Sequence, residues 1–283
     1  MSNPFDIKMV ERFSGHIRVD ANETTMLGVG AFKTAQAIEL TLFPLRSSGI
    51  GCIASHSIAG KRPYLNPTGG IGRRPYIRFS MGDESRRLYR EANVLYWAMA
   101  LLDFSYEYID QCIADAEEPP PFDIPRLRFV EAGLLFAYAA DRADSTQGPG
   151  SKSGTVATTY LAEEIIDGDF FKYIHNGSAS PRLFSDPMAD DIAEFLAFTQ
   201  HVQYNKTGGL VYVSDYQGST TLLTDPQILT HPDVGDGLSL FGDGNVKKGV
   251  ELFEEQHSCS TNKYCSWPGF NMAEFGSEGD SDL

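Results

Sequence analysis

The sequence predicts an α+β fold in two lobes, and three features of the chain support that prediction. Short apolar runs separated by turn residues fill residues 26–64 and indicate strands. A long apolar stripe at helical spacing follows, from about Asp83 to Ile113. Beyond it, strand-like runs resume and a second helix begins near Pro187. A chain of 283 residues is long enough for one large domain or two lobes.

The charge balance and the cysteine count argue against several classes of protein. Lys plus Arg is 23 and Asp plus Glu is 38, a formal charge of −15, whereas nucleic-acid backbones are bound by basic faces. No apolar run is long enough to span a bilayer, and residues 1–18 lack the pattern of a secretory signal. Four cysteines in so long a chain do not suggest a disulfide scaffold. We therefore expect a cytoplasmic protein without nucleic-acid or membrane partners; the oligomeric state stays open.

The predicted first lobe consists of a sheet and the long helix. Strands over residues 26–35 and 38–43 are joined through a glycine-bearing turn, and Lys61 lies in a further short strand. A lysine inside a strand must be paired or solvated. Prolines 119–121 end the helix. The apolar stripe of the helix is predicted core: Leu88, Ala92, Leu95, Met99, Leu102, Tyr106, Ile109 and Ile113.

The predicted second lobe begins near Asp167 and Gly168. Ser185, Asp186 and Pro187 form a strong helix start, because a capping residue precedes a proline at the first helical position. The apolar run 210–213 is a buried strand, and a helix over 247–256 carries Val250 and Phe253 inward. The tail, residues 271–283, is acidic and predicted to be disordered.

A cluster of metal-binding residue types closes this lobe. His257, Cys259 and Cys265 lie within nine residues of one another. Thiolate and imidazole ligands at short spacing favour zinc in a tetrahedral site. A fourth ligand must come from elsewhere in the chain, and a loop with free thiols is the alternative. The candidates for the fourth ligand are His201, His231 and His175.

Three further polar residues follow the buried strand. Asp215 comes directly after it, Gln217 stands two residues on, and Asp225 follows in a Thr-Asp-Pro sequence. Two carboxylates and an amide oxygen can bind magnesium and orient a hydroxyl for phosphoryl transfer. Taken singly, each aspartate is more often a cap or a turn residue. The case for a site comes from their occurrence together, upstream of the metal cluster.

In this order, the motifs resemble the alpha-kinase family of atypical protein kinases, which includes the elongation-factor-2 kinases and the myosin-heavy-chain kinases. The resemblance covers residues 25–270 and is strongest over residues 198–265. It implies an N-terminal extension over residues 1–24, an N-lobe over 25–167 and a C-lobe over 168–270. Two stretches of sequence, Gly-Ala-Phe-Lys-Thr-Ala (residues 30–35) and residues 90–97, resemble those of the fungal branch of the family.

The resemblance also implies roles for individual residues. Asp215 is expected to orient or deprotonate the reacting hydroxyl, and Gln217 with Asp225 to bind magnesium. His201 is implied as the fourth ligand of a structural zinc, beside the three ligands already named. Lys61 and Lys33 are expected to contact phosphates. Separately from the resemblance, the helix position of Glu91 makes it a candidate partner of Lys61, as in ordinary protein kinases. The other implied nucleotide contacts are Glu164 and Ile166 at the adenine, and Gly242, Gly244 and Asn245 in a glycine-rich loop.

The implied activity is the transfer of the γ-phosphate of ATP to serine or threonine hydroxyls of an unidentified protein substrate. ATP, Mg²⁺ and structural Zn²⁺ are the implied cofactors. Three departures from the family pattern stand out: Gly60 before the lysine, Tyr216 in place of an aliphatic residue, and Ser260-Thr261 inserted between the cysteines. The first and last motivate an alternative, a zinc-stabilised pseudokinase that binds ATP or a peptide. A small-molecule kinase and a plain zinc interaction domain are further alternatives; the latter leaves Lys61 and Glu164 without a role.

Overall fold

The computed structural model describes residues 11–19, 26–65, 76–138, 156–234, 241–242 and 247–272. The chain forms two compact units. The first contains Met1–Asn93 and Val130–Ile165, and the second contains Val94–Phe129 and Ile166–Leu283. The chain therefore passes from one unit to the other within the long helix, again after Phe129, and finally after Ile165.

The strands and helices occupy most of the stretches in which the sequence predicted them. In chain order the strands are β1 (Ser14–Val19), β2 (Met26–Val29), β3 (Lys33–Phe43), β4 (His56–Pro63), β5 (Arg128–Phe129), β6 (Ala132–Tyr138), β7 (Val156–Glu163), β8 (Phe171–Lys172), β9 (Val211–Ser214), β10 (Gln217–Gly218), β11 (Leu222–Thr224) and β12 (Gln227–Thr230). The helices are α1 (Met81–Asp115), α2 (Pro187–Lys206), α3 (Lys247–Glu251) and α4 (Phe253–Gln256), and 3₁₀ turns cover Pro232–Val234, Cys259–Thr261 and Pro268–Phe270.

The first unit is built on one antiparallel sheet with the strand order β1-β3-β4-β7-β6, to which β2 adds by pairing with β3. β1 pairs with β3 along its whole length, although it lies in the stretch expected as an extension. On one face of the sheet, Ile38 and Ile58 are directly opposed and fully buried, and they pack in a core cluster with Tyr160. Side chains alternate between the faces of a strand, so Lys61 lies on the other face from Gly60.

The long helix α1 is confirmed, and its start has a clear local cause. Ser80 Oγ accepts a hydrogen bond from the backbone N–H of Asp83 at 3.3 Å, which satisfies one of the free donors at the helix start. Within the first unit, Leu88 and Ala92 pack against Leu161 of β7. The predicted stripe is buried at most of its positions, although Met99 is partly exposed.

The second unit contains a short four-stranded sheet in the order β5-β11-β10-β8 and a separate β9–β12 pair. The predicted start of α2 is confirmed, because the Asp186 side chain accepts a hydrogen bond from the backbone N–H of Met188. The predicted helix over residues 247–256 is interrupted at Leu252 and forms α3 and α4, while Val250 and Phe253 are buried as predicted. None of the helices in the described ranges is both long and apolar enough to cross a membrane.

The core of the first unit yields a direct stability test. Ile58→Ala should lower the free energy of unfolding by about 2–5 kcal/mol, because it removes buried apolar atoms and leaves a cavity. Ile53→Ala is the matched control, since Ile53 is 54% exposed and its truncation should change stability by less than about 0.5 kcal/mol. Urea unfolding followed by far-UV circular dichroism measures both; equal effects of the two variants would contradict the assigned core.

Candidate functional site

Asp215 and Asp225 share an unusual backbone conformation. Asp215 follows β9 with φ of 57°, and Asp225 lies between β11 and β12 with φ of 53°. Left-handed backbone is uncommon for residues other than glycine, and it persists only where the surrounding structure enforces it. Two sharp turns in the second unit therefore fix the two carboxylates. Lys172 of β8 forms an ion pair with Asp215, Nζ to Oδ1 2.6 Å.

Gln217 connects these two turns. It lies on β10, where it pairs with Lys172 on one side and with Thr224 on the other. Its side-chain Nε2 donates to the backbone carbonyl of Asp225 at 3.2 Å and lies 3.5 Å from the Asp225 carboxylate. The structure thus brings Asp215, Gln217 and Asp225 to one end of the short sheet, where β8 and β11 finish and β10 begins, with Lys172 among them.

The glycine after Gln217 is required by close packing. Gly218 has φ of 151°, and a Cβ built there would lie 2.0 Å from the carbonyl oxygen of Leu222 on the neighbouring strand. No side chain fits this approach without moving β11 and, with it, the turn that carries Asp225. The Asp-x-Gln-Gly sequence is therefore explained residue by residue, from the turn at Asp215 to the glycine.

Tyr216, which departs from the family pattern, is fully buried. Its ring stacks on Phe129 with centroids 6.1 Å apart, and its hydroxyl lies 3.3 Å from both Thr199 Oγ1 and Gln203 Nε2 of α2. Burial raises the pKa of this phenol to about 12, while its hydrogen bonds oppose that shift. The aromatic side chain is accommodated because α2 supplies polar partners for its hydroxyl.

Two buried glutamines of α2 hold the strand that leads to Asp215. Gln203 Oε1 accepts from the backbone N–H of Val213, and Gln200 Nε2 donates to the Val213 carbonyl, both at 2.8 Å. Glutamine is seldom fully buried unless its polar atoms are bonded. The sequence analysis missed this arrangement, because a glutamine in a helix gives no sign of the backbone group that it will contact.

The four predicted zinc ligands form one cluster. Single donor atoms of His201, His257, Cys259 and Cys265 all lie within 4.8 Å of one another. His201 Nδ1 is 3.3 Å from the sulfur of Cys259 and 3.5 Å from that of Cys265, and His257 Nε2 is 3.4 Å from Cys265 Sγ. Of the other two histidines considered, neither belongs to this cluster.

The residues inserted between the cysteines form a compact turn. Cys259–Thr261 is a 3₁₀ turn closed by the Asn262 backbone N–H on the Cys259 carbonyl at 3.2 Å. The buried Asn262 then accepts from the backbone N–H groups of Tyr264 and Cys265 and donates to the Glu194 carbonyl of α2. The insertion is thus absorbed locally, and both cysteines reach the cluster.

The two thiols of the cluster are electronically different. A hydrogen bond with Cys265 is the largest cause that lowers the pKa of Cys259 below its ordinary value. The same bond, together with burial, raises the pKa of Cys265. One sulfur is therefore set up as an anionic donor, which is the form that binds a metal.

The predicted phosphate-binding lysines lie in the first unit. Lys33 of β3 and Lys61 of β4 are on the same face of the sheet, because Ala35 pairs with Lys61 and Lys33 pairs with Pro63. Lys33 contacts Glu91 of α1 at 3.2 Å, and Lys61 contacts Glu163 of β7 at 2.7 Å. Each ammonium is thus held by a carboxylate; the glutamate at Lys61 was not anticipated from the sequence.

Packing explains why residue 60 is a glycine. A Cβ at this position would lie 2.1 Å from Ile38 Cδ1 and 3.1 Å from Tyr160 on the face opposite Lys61. A larger residue does not fit at this position, because Ile38 and Tyr160 already fill the space. The glycine therefore concerns the packing of the core and leaves the face that carries Lys61 unaffected.

The expected adenine contacts follow β7. The Glu164 carboxylate accepts from the backbone N–H of Glu131 at 2.7 Å, and the Glu164 N–H donates to the Glu131 carbonyl. Ile166 is partly buried at the start of the second unit's last segment. Gly242 has φ of 74°, the left-handed conformation that favours glycine, while Gly244 and Asn245 lie outside the described residues.

Lys172 is the site residue that the sequence analysis missed. It occupies a run of aromatic residues, Phe170-Phe171-Lys172-Tyr173, of which Tyr173 is fully buried. A lysine among residues destined for a core needs a charged partner, and that is the signal that could have identified it. Which acid it would meet was decided by the pairing of β8 with β10.

Comparison with known proteins agrees with these motifs. The sequence profile of the alpha-kinase family matches residues 91–265. The eukaryotic elongation factor 2 kinase of Caenorhabditis elegans is 34% identical over 103 residues, which are 36% of this chain and 12% of that protein. The chain thus aligns with only about an eighth of that relative's length. The predicted membership of the fungal branch stays a prediction.

Solved structures resemble the fold at low sequence identity. The alpha-kinase domain of myosin-II heavy chain kinase A in complex with adenosine matches with a TM-score of 0.56 and 18% identity, over 93% of this chain and 88% of that one. Its complex with ADP gives 0.54 and 19%, over 93% and 90%. The predicted α+β alpha-kinase fold is confirmed. Because the family profile also matches more than half of the sequence, the chain belongs to the alpha-kinase family.

Proposed function

We propose that this protein is an ATP-dependent kinase that phosphorylates serine or threonine hydroxyls of a protein substrate. The observation that carries the proposal is the group of polar residues at one end of the short sheet. A carboxylate ion-paired to a lysine, Asp215 with Lys172, stands next to an amide and a second carboxylate, Gln217 and Asp225. Phosphoryl transfer needs these parts: a group that orients the hydroxyl, and oxygen ligands for magnesium.

Asp215 is assigned the role of binding the substrate hydroxyl. The Lys172 ammonium, 2.6 Å from Asp215 Oδ1, holds the carboxylate in place to accept a hydrogen bond from the substrate hydroxyl. Orientation of the nucleophile is its first task, and it takes the proton late, as a loose phosphoryl-transfer transition state allows.

Gln217 and Asp225 are assigned the magnesium ion. An amide oxygen and a carboxylate oxygen are hard donors of the kind that this cation prefers. When bound, the ion would neutralise charge on the β- and γ-phosphates. The two left-handed turns and the close packing of Gly218 fix the backbone that carries these donors, and Gln217 would turn its amide oxygen to the ion.

Lys33 and Lys61 are assigned the phosphates of ATP. Their carboxylate partners, Glu91 and Glu163, keep both ammonium groups on one face of the sheet. The Glu164 carboxylate already accepts a hydrogen bond from the backbone N–H of Glu131. We therefore propose that backbone groups over residues 164–166 contact the adenine. Gly242, Gly244 and Asn245 are kept as a glycine loop that contacts the nucleotide or the peptide.

A structural zinc ion fits the His201, His257, Cys259 and Cys265 cluster. With metal–sulfur and metal–nitrogen bonds of about 2.3 and 2.0 Å, tetrahedral donors stand about 3.3–3.8 Å apart. The three contacts of 3.3–3.5 Å fall in that range. All four positions are protein donors, so the metal would stabilise the fold and would leave no open position for substrate.

Two sequence features suggested the pseudokinase alternative, and both have a structural explanation. Gly60 compensates for the packing of Ile38 and Tyr160, and the inserted residues 260–261 form a turn that keeps Cys259 in the cluster. Neither departure removes a group that transfer requires. Kinase activity is therefore the better-supported function. Loss of phosphoryl transfer in a variant with one isosteric substitution distinguishes a kinase from a pseudokinase.

Asp215→Asn should reduce kcat for protein phosphorylation by about 10²–10⁴-fold, because the amide cannot accept the hydroxyl proton. Radiolabelled ATP with magnesium and a generic basic protein measures the transfer, and phosphoamino-acid analysis identifies serine or threonine. The matched control is Asp233→Asn, since the Asp233 side chain is 83% exposed and its partner is His231.

Two results would overturn this assignment. Full activity of Asp215→Asn would remove the residue from the site. A folded wild-type chain that binds ATP in calorimetry but transfers no label, under conditions in which a control kinase labels the same protein, would establish the pseudokinase.

Asp225→Asn should raise the magnesium concentration for half-maximal activity by roughly tenfold or more, because a hard cation exchanges an anionic oxygen for a neutral one. Activity is titrated with MgCl₂ at fixed ATP, again beside Asp233→Asn. An unchanged magnesium midpoint together with reduced kcat would assign Asp225 a role other than metal binding.

His257→Ala and Cys265→Ala should lose folded protein, and not only activity, because a structural metal contributes folding free energy. Soluble yield, melting temperature and zinc content by mass spectrometry are measured beside Cys52→Ala, a cysteine outside the cluster. The wild type and the control should carry one zinc per chain. Normal soluble yield and melting temperature in both cluster variants would contradict the zinc assignment.

A further inference from the structure

Gln203 of α2 contacts the chain on both sides of the turn at Asp215. Its Oε1 accepts a hydrogen bond from the backbone N–H of Val213, two residues before Asp215, at 2.8 Å. Its Nε2 lies 3.3 Å from the hydroxyl oxygen of Tyr216, the residue directly after Asp215. The Gln203 side chain is fully buried. One side chain therefore joins the strand that enters the turn to the residue that leaves it.

The turn at Asp215 requires support from its surroundings. Its φ of 57° is unfavourable for a residue with a side chain, and such a conformation persists only where neighbouring structure enforces it. β9, which leads into the turn, forms a two-stranded sheet with β12. The N–H and C=O groups of one residue point to the same edge of a strand, so the Val213 groups that bond to α2 lie on the edge away from β12. On that edge, Gln200 and Gln203 take the place of a neighbouring strand.

The orientation of the Gln203 amide is set by its partners. The backbone N–H of Val213 is a donor, so the amide oxygen must face it. The amide nitrogen then faces three oxygen atoms: the Leu101 carbonyl at 3.2 Å, Ser105 Oγ at 3.0 Å and the Tyr216 hydroxyl. Ser105 donates its own hydrogen to the Leu101 carbonyl, which leaves its oxygen free to accept from Gln203.

The Tyr216 hydroxyl completes the same network. Thr199 donates its hydrogen to the Leu196 carbonyl at 2.7 Å, so its oxygen accepts from the Tyr216 hydroxyl at 3.3 Å. The phenolic oxygen is then left to accept from Gln203. A reversed amide would place a donor against the Val213 N–H and would break this order of donors and acceptors. The contact also depends on the tyrosine that distinguishes this chain from the family pattern.

We propose that Gln203 is a positioning residue for phosphoryl transfer and that Tyr216 acts together with it. By holding the chain before and after Asp215, the two side chains fix the turn that aims the Asp215 carboxylate at the substrate hydroxyl. The inference rests on the proposed kinase function. Because Gln203 is fully buried, it touches no substrate and acts through Asp215.

Gln203→Leu removes the amide while keeping a side chain of similar size. It should lower kcat for protein phosphorylation by about 10–100-fold, because a small misplacement of a reacting group is costly. The KM for ATP should change by less than about twofold, since the turn at Asp215 is not assigned to ATP. Rates are compared per folded chain, with folding followed by circular dichroism. Gln111→Leu is the matched control: Gln111 is exposed on α1, and its variant should keep the wild-type kcat.

Two double variants test whether Gln203 acts through the turn. In the Asp215→Asn background, Gln203→Leu should lower the residual rate by less than about twofold, because no carboxylate remains to be positioned. Tyr216→Phe removes only the hydroxyl and should lower kcat by about threefold to tenfold on its own. It should add less than about twofold in the Gln203→Leu background, because the bond between the two side chains is already lost. Tyr216→Phe also decides the matter if Gln203→Leu does not fold.

The outcomes separate this inference from the function on which it rests. An unchanged kcat in folded Gln203→Leu or in Tyr216→Phe overturns the positioning role and leaves the kinase standing. An equal loss from Gln203→Leu with and without the Asp215 carboxylate also overturns it, because Gln203 would then act elsewhere. If the wild type transfers no phosphate, the proposed function fails and the positioning role fails with it.

Discussion

The backbone of Val213 is the point on which the second unit depends. Gln200 and Gln203 of α2 bond to its carbonyl and its N–H, which fixes the strand that ends at Asp215. His201, between them, belongs to the His/Cys cluster proposed to hold zinc. One helical turn thus connects the proposed catalytic acid to the proposed zinc ion. These bonds matter because an unpaired polar group in the core is costly; Gln200 Oε1 itself is buried without a hydrogen-bond partner among the described residues.

Charge pairing is the second organising constraint. Three lysines of the proposed site each have a carboxylate partner: Lys33 with Glu91, Lys61 with Glu163, and Lys172 with Asp215. These pairs are partly buried, where an isolated charge is unfavourable and a bonded one is held in a fixed position. Each pair therefore fixes the position of an ammonium group, so the proposed phosphate and hydroxyl contacts would need little reorganisation when substrates bind.

The departures of this chain from the family pattern have local structural compensation. Ile38 fills the space above Gly60, the Tyr216 hydroxyl meets α2, and a 3₁₀ turn absorbs the residues after Cys259. Each change is absorbed within a few ångströms. This explains how a chain with 18–20% identity to the solved alpha-kinase domains retains the fold.

The sequence by itself determined those features that depend on local chemistry and periodicity. The apolar stripe predicted α1, Asp186 with Pro187 predicted the start of α2, and the spacing of His257, Cys259 and Cys265 indicated a metal cluster. Only the tertiary structure decided which groups meet across long separations. That Lys172 contacts Asp215 follows from the pairing of β8 with β10. These two residues lie far apart in the chain, so no local pattern of residues indicates that they will meet.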